Sequence, residues 1–331
     1  MYLLVADPHL GLYNDSDMWH KITYKLYQSI VDTCKRKNIK KIIILGDFFD
    51  ERKYLNIKTL NIALKIGKLL NEYQTYLIIG NHDVFYKDRL VPSSLELFEK
   101  FENITIVNEP CKLDNLLLLP WASETPKHME KYDAVLGHFA INTFPTNDDY
   151  IYYSKESPDP DDFKKAKVLL SGHFHNPMKK GNITYLGSPY QQRFGDSDSP
   201  RGYYIFNNSK MELVEFKDAP KFVKVYSGDK LERNKITGNF VKLIYARDYG
   251  RIQNNKIIEN IQLLNPLQLH TDFTKMQSGT TKEKISEDDI KLKRKDEILL
   301  EYINKSTIPE HIKKTTLKSV IDTLMREEVD E

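Results

Sequence analysis

Residues 75–83 read TYLIIGNHD: an apolar run rich in β-branched side chains stops at a glycine, and an amide, an imidazole and a carboxylate follow at once. The run is continuous rather than alternating, which suits a strand covered on both faces. Asn81, His82 and Asp83 therefore fall just past a strand end. Asn81 offers a carbonyl oxygen to a cation, and His82 can carry a proton. Asp83 is expected to accept a hydrogen bond from His82 and favour its protonated form.

The same grammar recurs along the chain. YLLVA (2–6) runs into Asp7 and His9, KIIILGD (41–47) closes on Asp47, AVLGH (134–138) on His138, and VLLSGH (168–173) on His173, with His175 two residues on. LLLLPW (116–121) is a further run of this kind. Between the first two runs, Trp19, Ile22, Leu26, Ile30 and Cys34 recur at helical spacing. NIKTLNIALKIGKLL (56–70) repeats that pattern behind Asn56, an expected N-cap. Alternation of strand and helix implies a mainly parallel α/β sheet. Its strand C-terminal ends would share one edge, where ligand crevices form.

Residues i and i+2 of extended chain point to one side, so Asp7 pairs with His9 and His173 with His175. Asp47 suits a bridge in which each carboxylate oxygen meets one cation, while Asp50 is read as orienting a ligand or loop. Imidazole, amide and carboxylate donors without thiolate favour Mn, Fe, Zn or Mg. Two such ions about 3.5–4 Å apart are the usual arrangement for hydrolysing phosphoesters.

Composition narrows the function. The chain has 331 residues, of which 40% are hydrophobic and 29% charged, as in a folded globular protein. Its formal net charge of +2 argues against holding nucleic acid by bulk phosphate neutralisation, so any such contact should be local or shared with a partner. Cys34 and Cys111 are the only cysteines and lack a CxxC spacing, which reads as two thiols in a reducing cytoplasm. No stretch is long and apolar enough for a membrane span.

Four regions are expected. Residues 1–216 form the main domain, and 217–272 a small second one with a βαβ unit at 239–273. Residues 273–288 are a polar linker, and 289–331 a helical segment. The last helix opens on a capping box, Thr307 to Glu310, and carries the stripe Ile312, Leu317, Val320, Ile321 and Leu324, a surface for docking on another chain. Tyr86, Lys87 and Arg89, just past GNHD, and Arg201 further on are candidate substrate contacts.

The ordered set DPH (7–9), GDFFD (46–50), GNHD (80–83), GH (137–138) and GHFH (172–175) resembles the calcineurin-like metallophosphoesterases, over residues 1 to about 190. The resemblance implies a sandwich of mixed β-sheets flanked by helices, with a small α+β capping domain and C-terminal helices. It implies one ion on Asp7, His9, Asp47 and His175 and a second on Asp47, Asn81, His138 and His173, with His82 the catalytic histidine, seconded by Asp83. DPHLG (7–11) and YLGSPYQQRFGD (185–196) with PRGYYIF (200–206) are similar to the SbcD-type repair nucleases, and the brevity of the chain to the recombination endonuclease subunits of T-even-like phages. That implies a DNA exonuclease and endonuclease preferring Mn, attacking through a hydroxide that bridges the ions, with His82 as proton donor. It also implies a homodimer, working in the host cytoplasm beside an SbcC-type coiled-coil ATPase. The competing reading is a phosphoesterase for a nucleotide or other small phosphoester.

Overall fold

The computed structural model describes residues 1–86, 89–147, 150–247 and 249–273. Lys87, the 273–288 linker past Phe273, and the helical stripe Ile312, Leu317, Val320, Ile321 and Leu324 lie outside the described residues. Met1–Met276 form one compact unit.

The chain lays down Tyr2–Val5 (β1), Lys41–Leu45 (β2), Gln74–Ile78 (β3) and Ile104–Val107 (β4) as parallel neighbours. It then starts a second sheet with Cys111–Leu113 (β5), Leu116–Leu119 (β6) and Ala134–His138 (β7). A short hairpin, Pro145–Asn147 (β8) and Tyr150–Ile151 (β9), precedes Leu169–Gly172 (β10), Met178–Lys180 (β11) and Ile183–Tyr185 (β12), which complete that sheet. Gly202–Asn207 (β13) returns to pair antiparallel with β1, and Lys210–Glu215 (β14) adds the outer edge. The orders are β14-β13-β1-β2-β3-β4 and β11-β12-β10-β7-β6-β5.

Where the alternation of strand and helix implied a mainly parallel sheet, the chain forms two mixed six-stranded sheets packed face to face, the sandwich that the resemblance implied. Burial explains why the runs do not alternate. Leu4, Ile43, Leu45 and Ile78 of the first sheet meet Leu118, Leu136, Leu170 and Leu186 of the second. Leu3, Val5, Ile42, Ile44 and Leu77 point the other way, to helices Asp17–Lys37 and Ile57–Leu70, where Trp19, Leu26, Ile30, Ala63 and Ile66 cover them. The far face of the second sheet, Leu117, Leu119, Val135 and Leu169, is covered by Phe139, Phe144 and Phe163. Each inner strand serves two cores, so periodicity alone could not separate one sheet from two. Asn56 caps the second helix, its side chain accepting from Lys58 N.

Beyond β14, Phe222–Tyr226 (β15), Phe240–Ile244 (β16) and Gln268–Asp272 (β17) make a three-stranded parallel sheet, with helix Arg251–Gln262 crossing from β16 to β17. It joins the sandwich through nearly parallel rings. Phe240 lies 4.6 Å from Phe222 and 6.2 Å from Trp19, and Tyr13 stacks on both phenylalanines at about 6 Å. Among the described residues no helix is long and apolar enough to cross a membrane.

Phe240 is buried within this stack. Phe240→Ala is expected to lower unfolding stability by about 3–5 kcal/mol, the usual cost of emptying a packed phenylalanine site. Denaturant unfolding checks this, and a loss under about 1 kcal/mol would show that the rings touch without bearing the seam.

Candidate metal centre

Every strand-end residue singled out above comes to one place, the C-terminal edge shared by the two sheets. Asp7 and His9 follow β1, Asp47 follows β2, Asn81 and His82 follow β3, His138 ends β7, and His173 and His175 follow β10. The backbone bends hard to do this. Asp7, His9, Asp47 and His173 have φ of 51°, 44°, 51° and 93°, a region that residues other than glycine rarely occupy. Such conformations persist only where surrounding structure holds them, and they cluster at functional sites. Gly46 (φ 84°) turns the chain beside the His138 ring, which any Cβ there would strike. Gly80 is confined likewise against Asp47.

Three clusters of potential ligands result, one of them His9, Asp50 and His82, and the other two hold the residues read as ion ligands. In each of Asp7, His9, His175 and Asp47, His138, His173, one potential ligand atom per residue lies within 4.8 Å of the others. Asn81 Oδ1 sits 3.0 Å from His138 Nε2 and 2.9 Å from His173 Nδ1. Asp47 Oδ2 lies 3.3 Å from His138 Nε2 and 3.7 Å from His9 Nε2, between the clusters. Its other oxygen accepts from His82 N at 2.8 Å, so the carboxylate faces both clusters through one oxygen, where one oxygen for each cation was expected.

The donor set fits divalent cations. Asp7 Oδ2, His9 Nε2 and His175 Nδ1 are buried without a hydrogen-bond partner, a costly state for polar atoms. All three belong to one cluster. In the other, His138 Nδ1 donates to Leu45 O at 2.8 Å, so in neutral His138 Nε2 is a lone pair facing a carbonyl and a carboxylate oxygen. A cation reconciles acceptors that otherwise repel. Without one, a proton takes its place: burial disfavours charge on His138, but Asp47 and Asp7 outweigh it and lift the imidazole to about 9. Burial, aided by the charge on His138, pushes His173 down to about 3. Burial and His9 likewise hold His175 far below its ordinary value, leaving both rings with lone pairs to offer.

His82 rests edge-on against His9, ring centroids 4.9 Å apart, and its Nδ1 donates to the backbone carbonyl of Asp50 at 2.6 Å. That bond fixes the tautomer and leaves Nε2 as the nitrogen that exchanges a proton. Asp83 is not its partner, contrary to expectation. Its buried carboxylate accepts from Phe49 N at 3.2 Å and Gly80 N at 2.9 Å, tying the loop after β3 to the one after β2. Two orphan backbone amides in a buried turn claim it first. Asp50 Oδ1 lies 3.3 Å from His9 Nδ1.

Arg201 is likewise no substrate contact. It is buried, and its guanidinium donates to His175 O, Asn176 Oδ1, Ser188 Oγ and Ser197 O, clamping the loop that carries His175. Arg89 and Tyr86 stay at the surface as a pair, the guanidinium 3.9 Å above the ring. Trp121 was missed. It is tilted against His173 at 5.3 Å and meets His138 edge-on at 5.9 Å, with its backbone N–H donating to Ile79 O. The signal was there: LLLLPW ends like the other runs, and its last residue belonged at the same edge.

A family model described as Calcineurin-like phosphoesterase matches residues 2–189. Exonuclease subunit 1 of Enterobacteria phage T4 is 31% identical over 225 residues, 65% of this chain and 66% of that protein. The match thus spans just under two thirds of the phage relative. The SbcD component of nuclease SbcCD from Staphylococcus saprophyticus is 25% identical over 285 residues, 73% of each chain. The crystal structure of Pseudomonas putida nuclease MPE aligns with a TM-score of 0.27 at 21% identity, covering 55% of this chain and 66% of that one.

Burial raises Asp7 from 3.8 to about 6. The stability that goes with its neutral form is full below the ordinary carboxylate value and is lost as pH rises through about 6. At pH 8 without metal, Asp7→Asn is therefore expected to melt no earlier than wild type. Mn²⁺ at a hundredfold excess over Kd should raise the wild-type Tm by roughly 5–10 °C and the variant's far less. Thermal unfolding with and without chelator reads both. A metal-free variant that melts early would mean that Asp7 braces the apo fold.

Proposed function

Because the chain belongs to the calcineurin-like phosphoesterase family, we propose that it is a two-metal DNA exonuclease and endonuclease subunit of a recombination and repair complex. The observation that carries this is the pair of buried donor clusters on either side of Asp47 Oδ2, with His82 at their margin. The family uses divalent metals, and the donor types accord with Mn. Asp7, His9, Asp47 and His175 would hold one ion, and Asp47, Asn81, His138 and His173 the other.

Two bound cations supply charge neutralisation on the phosphoryl oxygens and a water acidified to act as nucleophile near neutral pH. The chain does the rest. Its left-handed turns aim the ligands, and the sheets keep water from the far side of each. His82, fixed through Nδ1 on the Asp50 carbonyl, presents Nε2 to the leaving group and protonates the 3′ oxygen of the departing nucleotide. Asp83 holds the loop that positions His82.

Polynucleotide rather than a small ester is favoured by the two relatives, both named as nuclease subunits. The exposed Tyr86 and Arg89 suit a stacked base or a backbone phosphate beside His82. Residues 217–272 would act as the capping domain. The 289–331 segment would dock on an SbcC-type ATPase, and the protein would work in the cytoplasm as a homodimer.

The test is cleavage of end-labelled single- and double-stranded DNA with Mn²⁺, beside a small chromogenic phosphodiester. His82→Ala is expected to lose about 10²–10⁴-fold in turnover while still binding both ions. Turnover of the small ester with DNA left intact, with or without an ATPase partner, would replace this reading with that of a small-substrate phosphodiesterase.

A further inference from the structure

We infer that Tyr190, Gln191 and Gln192 form a relay through which the seating of the three-stranded sheet sets the geometry of one ion seat, that of Asp7, His9 and His175. The three are positioning residues, and the inference rests on the two-ion reading above. All are buried, at 2%, 6% and 5% exposure, so each polar group must find a partner inside the protein.

Their side chains divide by alternation. Tyr190 OH donates to Pro8 O, and Gln192 Nε2 donates to Asp7 O at 2.9 Å. These are consecutive carbonyls of the segment bent by left-handed Asp7 and His9. Gln191 faces the other way. Its Oε1 accepts from the N–H of Phe222, the first residue of β15, at 2.9 Å. Its Nε2 donates to Asp196 O and Ser197 O at 3.3 and 3.2 Å. Ser197 O also accepts from Arg201, whose other terminal nitrogen holds His175 O. Residues 190–201 therefore hold the backbone of both Asp7, through Gln192, and His175, through Arg201, and Gln191 among them is bonded to the three-stranded sheet.

Tyr13 closes the circuit. Its ring stacks on Phe222 and Phe240, and its hydroxyl donates to Gln192 O at 2.7 Å. The linker between β14 and β15 borders open clefts. Clefts of about 340 and 510 Å³ both have Lys217, Ala219 and Pro220 in their walls. Phe194 against Phe222 and His270 and the exposed Lys221–Asp198 pair add to the hold, and the ring stack and Gln191 are the ties that lead on to Gln192 and the Asp7 turn. The second seat is anchored elsewhere, with His138 held by Leu45 O and Asp47 by His82 N, both within the sandwich.

The asymmetry gives the test, on the full chain, by Mn²⁺ titration followed by calorimetry and electron paramagnetic resonance. Wild type is expected to bind two ions and show a spin-coupled spectrum. Gln191→Leu and Gln192→Leu should each weaken one ion by about tenfold or more, leave the other within about twofold, and show an uncoupled Mn²⁺ spectrum at intermediate loading. The double variant should lie within about threefold of the weaker single, since a relay broken twice is broken once. Tyr13→Phe, which keeps the half-exposed ring and removes one hydroxyl, should weaken the same ion by severalfold. It decides the matter alone if the glutamine variants do not fold. Equal weakening of both ions, unchanged binding, or multiplying losses in the double variant would overturn the relay. A wild type that binds fewer than two ions would instead overturn the two-ion reading beneath it.

Discussion

Everything near the sheet edge answers to the crowding of unpaired ligand atoms around Asp47 Oδ2. That oxygen lies 3.3 Å from one imidazole nitrogen and 3.7 Å from another, with the orphaned Asp7 Oδ2, His9 Nε2 and His175 Nδ1 buried nearby. A folded chain ordinarily avoids such a gathering, because buried polar atoms without partners are destabilising and lone pairs facing one another more so. The fold sustains it with two hydrophobic cores beneath and left-handed backbone at four ligand positions. Divalent cations bound there would offset the stability lost at the edge, supplying in one step the charge that the acceptors lack.

The crowding also explains the glycines and short turns at the strand ends. A ligand can reach the shared edge only if the preceding backbone passes close to a neighbour, as Gly46 does beside His138 and Gly80 beside Asp47. The edge is therefore built by the sheets' own geometry rather than by long loops, and the gathering of these residues was legible from residue types at strand ends. Asp7, His9, Asp47, Asn81, His138, His173 and His175 all fall where the apolar runs stop. What could not be read was which groups had prior commitments. Asp83 sits beside His82 in the chain but is claimed by two backbone amides. Arg201 carries a charge suited to phosphate, yet four acceptors around the His175 loop absorb it. Hydrogen bonds of that kind join residues distant in sequence, and residue type does not announce them.

Sheet number was hidden for a related reason. A strand buried on both faces gives the same apolar run whether its second face meets a helix or another sheet. Leu4 and Leu3 are equally apolar neighbours, yet one faces the sheet-to-sheet core and the other the helices. The three-stranded unit was easier, because β16, its helix and β17 carry the length and turn signals of a βαβ element.

The two donor clusters differ in what holds them, and the difference bears on how distant parts of the chain can tune such a site. Asp47, His138 and His173 hang on the two sheets, whose registers are fixed by hydrogen-bonded ladders and a shared core. Asp7 and His175 depend in addition on carbonyls gripped by residues 190–201, a segment with little regular structure of its own. A push on β15 reaches that segment directly, through the Gln191 hydrogen bond, the Phe194–Phe222 ring contact, the Lys221–Asp198 pair and the Tyr13 stack, whereas it meets a full ladder before reaching Asp47. Soft elements move before stiff ones. The cluster that leans on the segment is therefore the one whose geometry a distant event would disturb first, and because Asp47 Oδ2 faces both clusters, a change in one would be felt by the other.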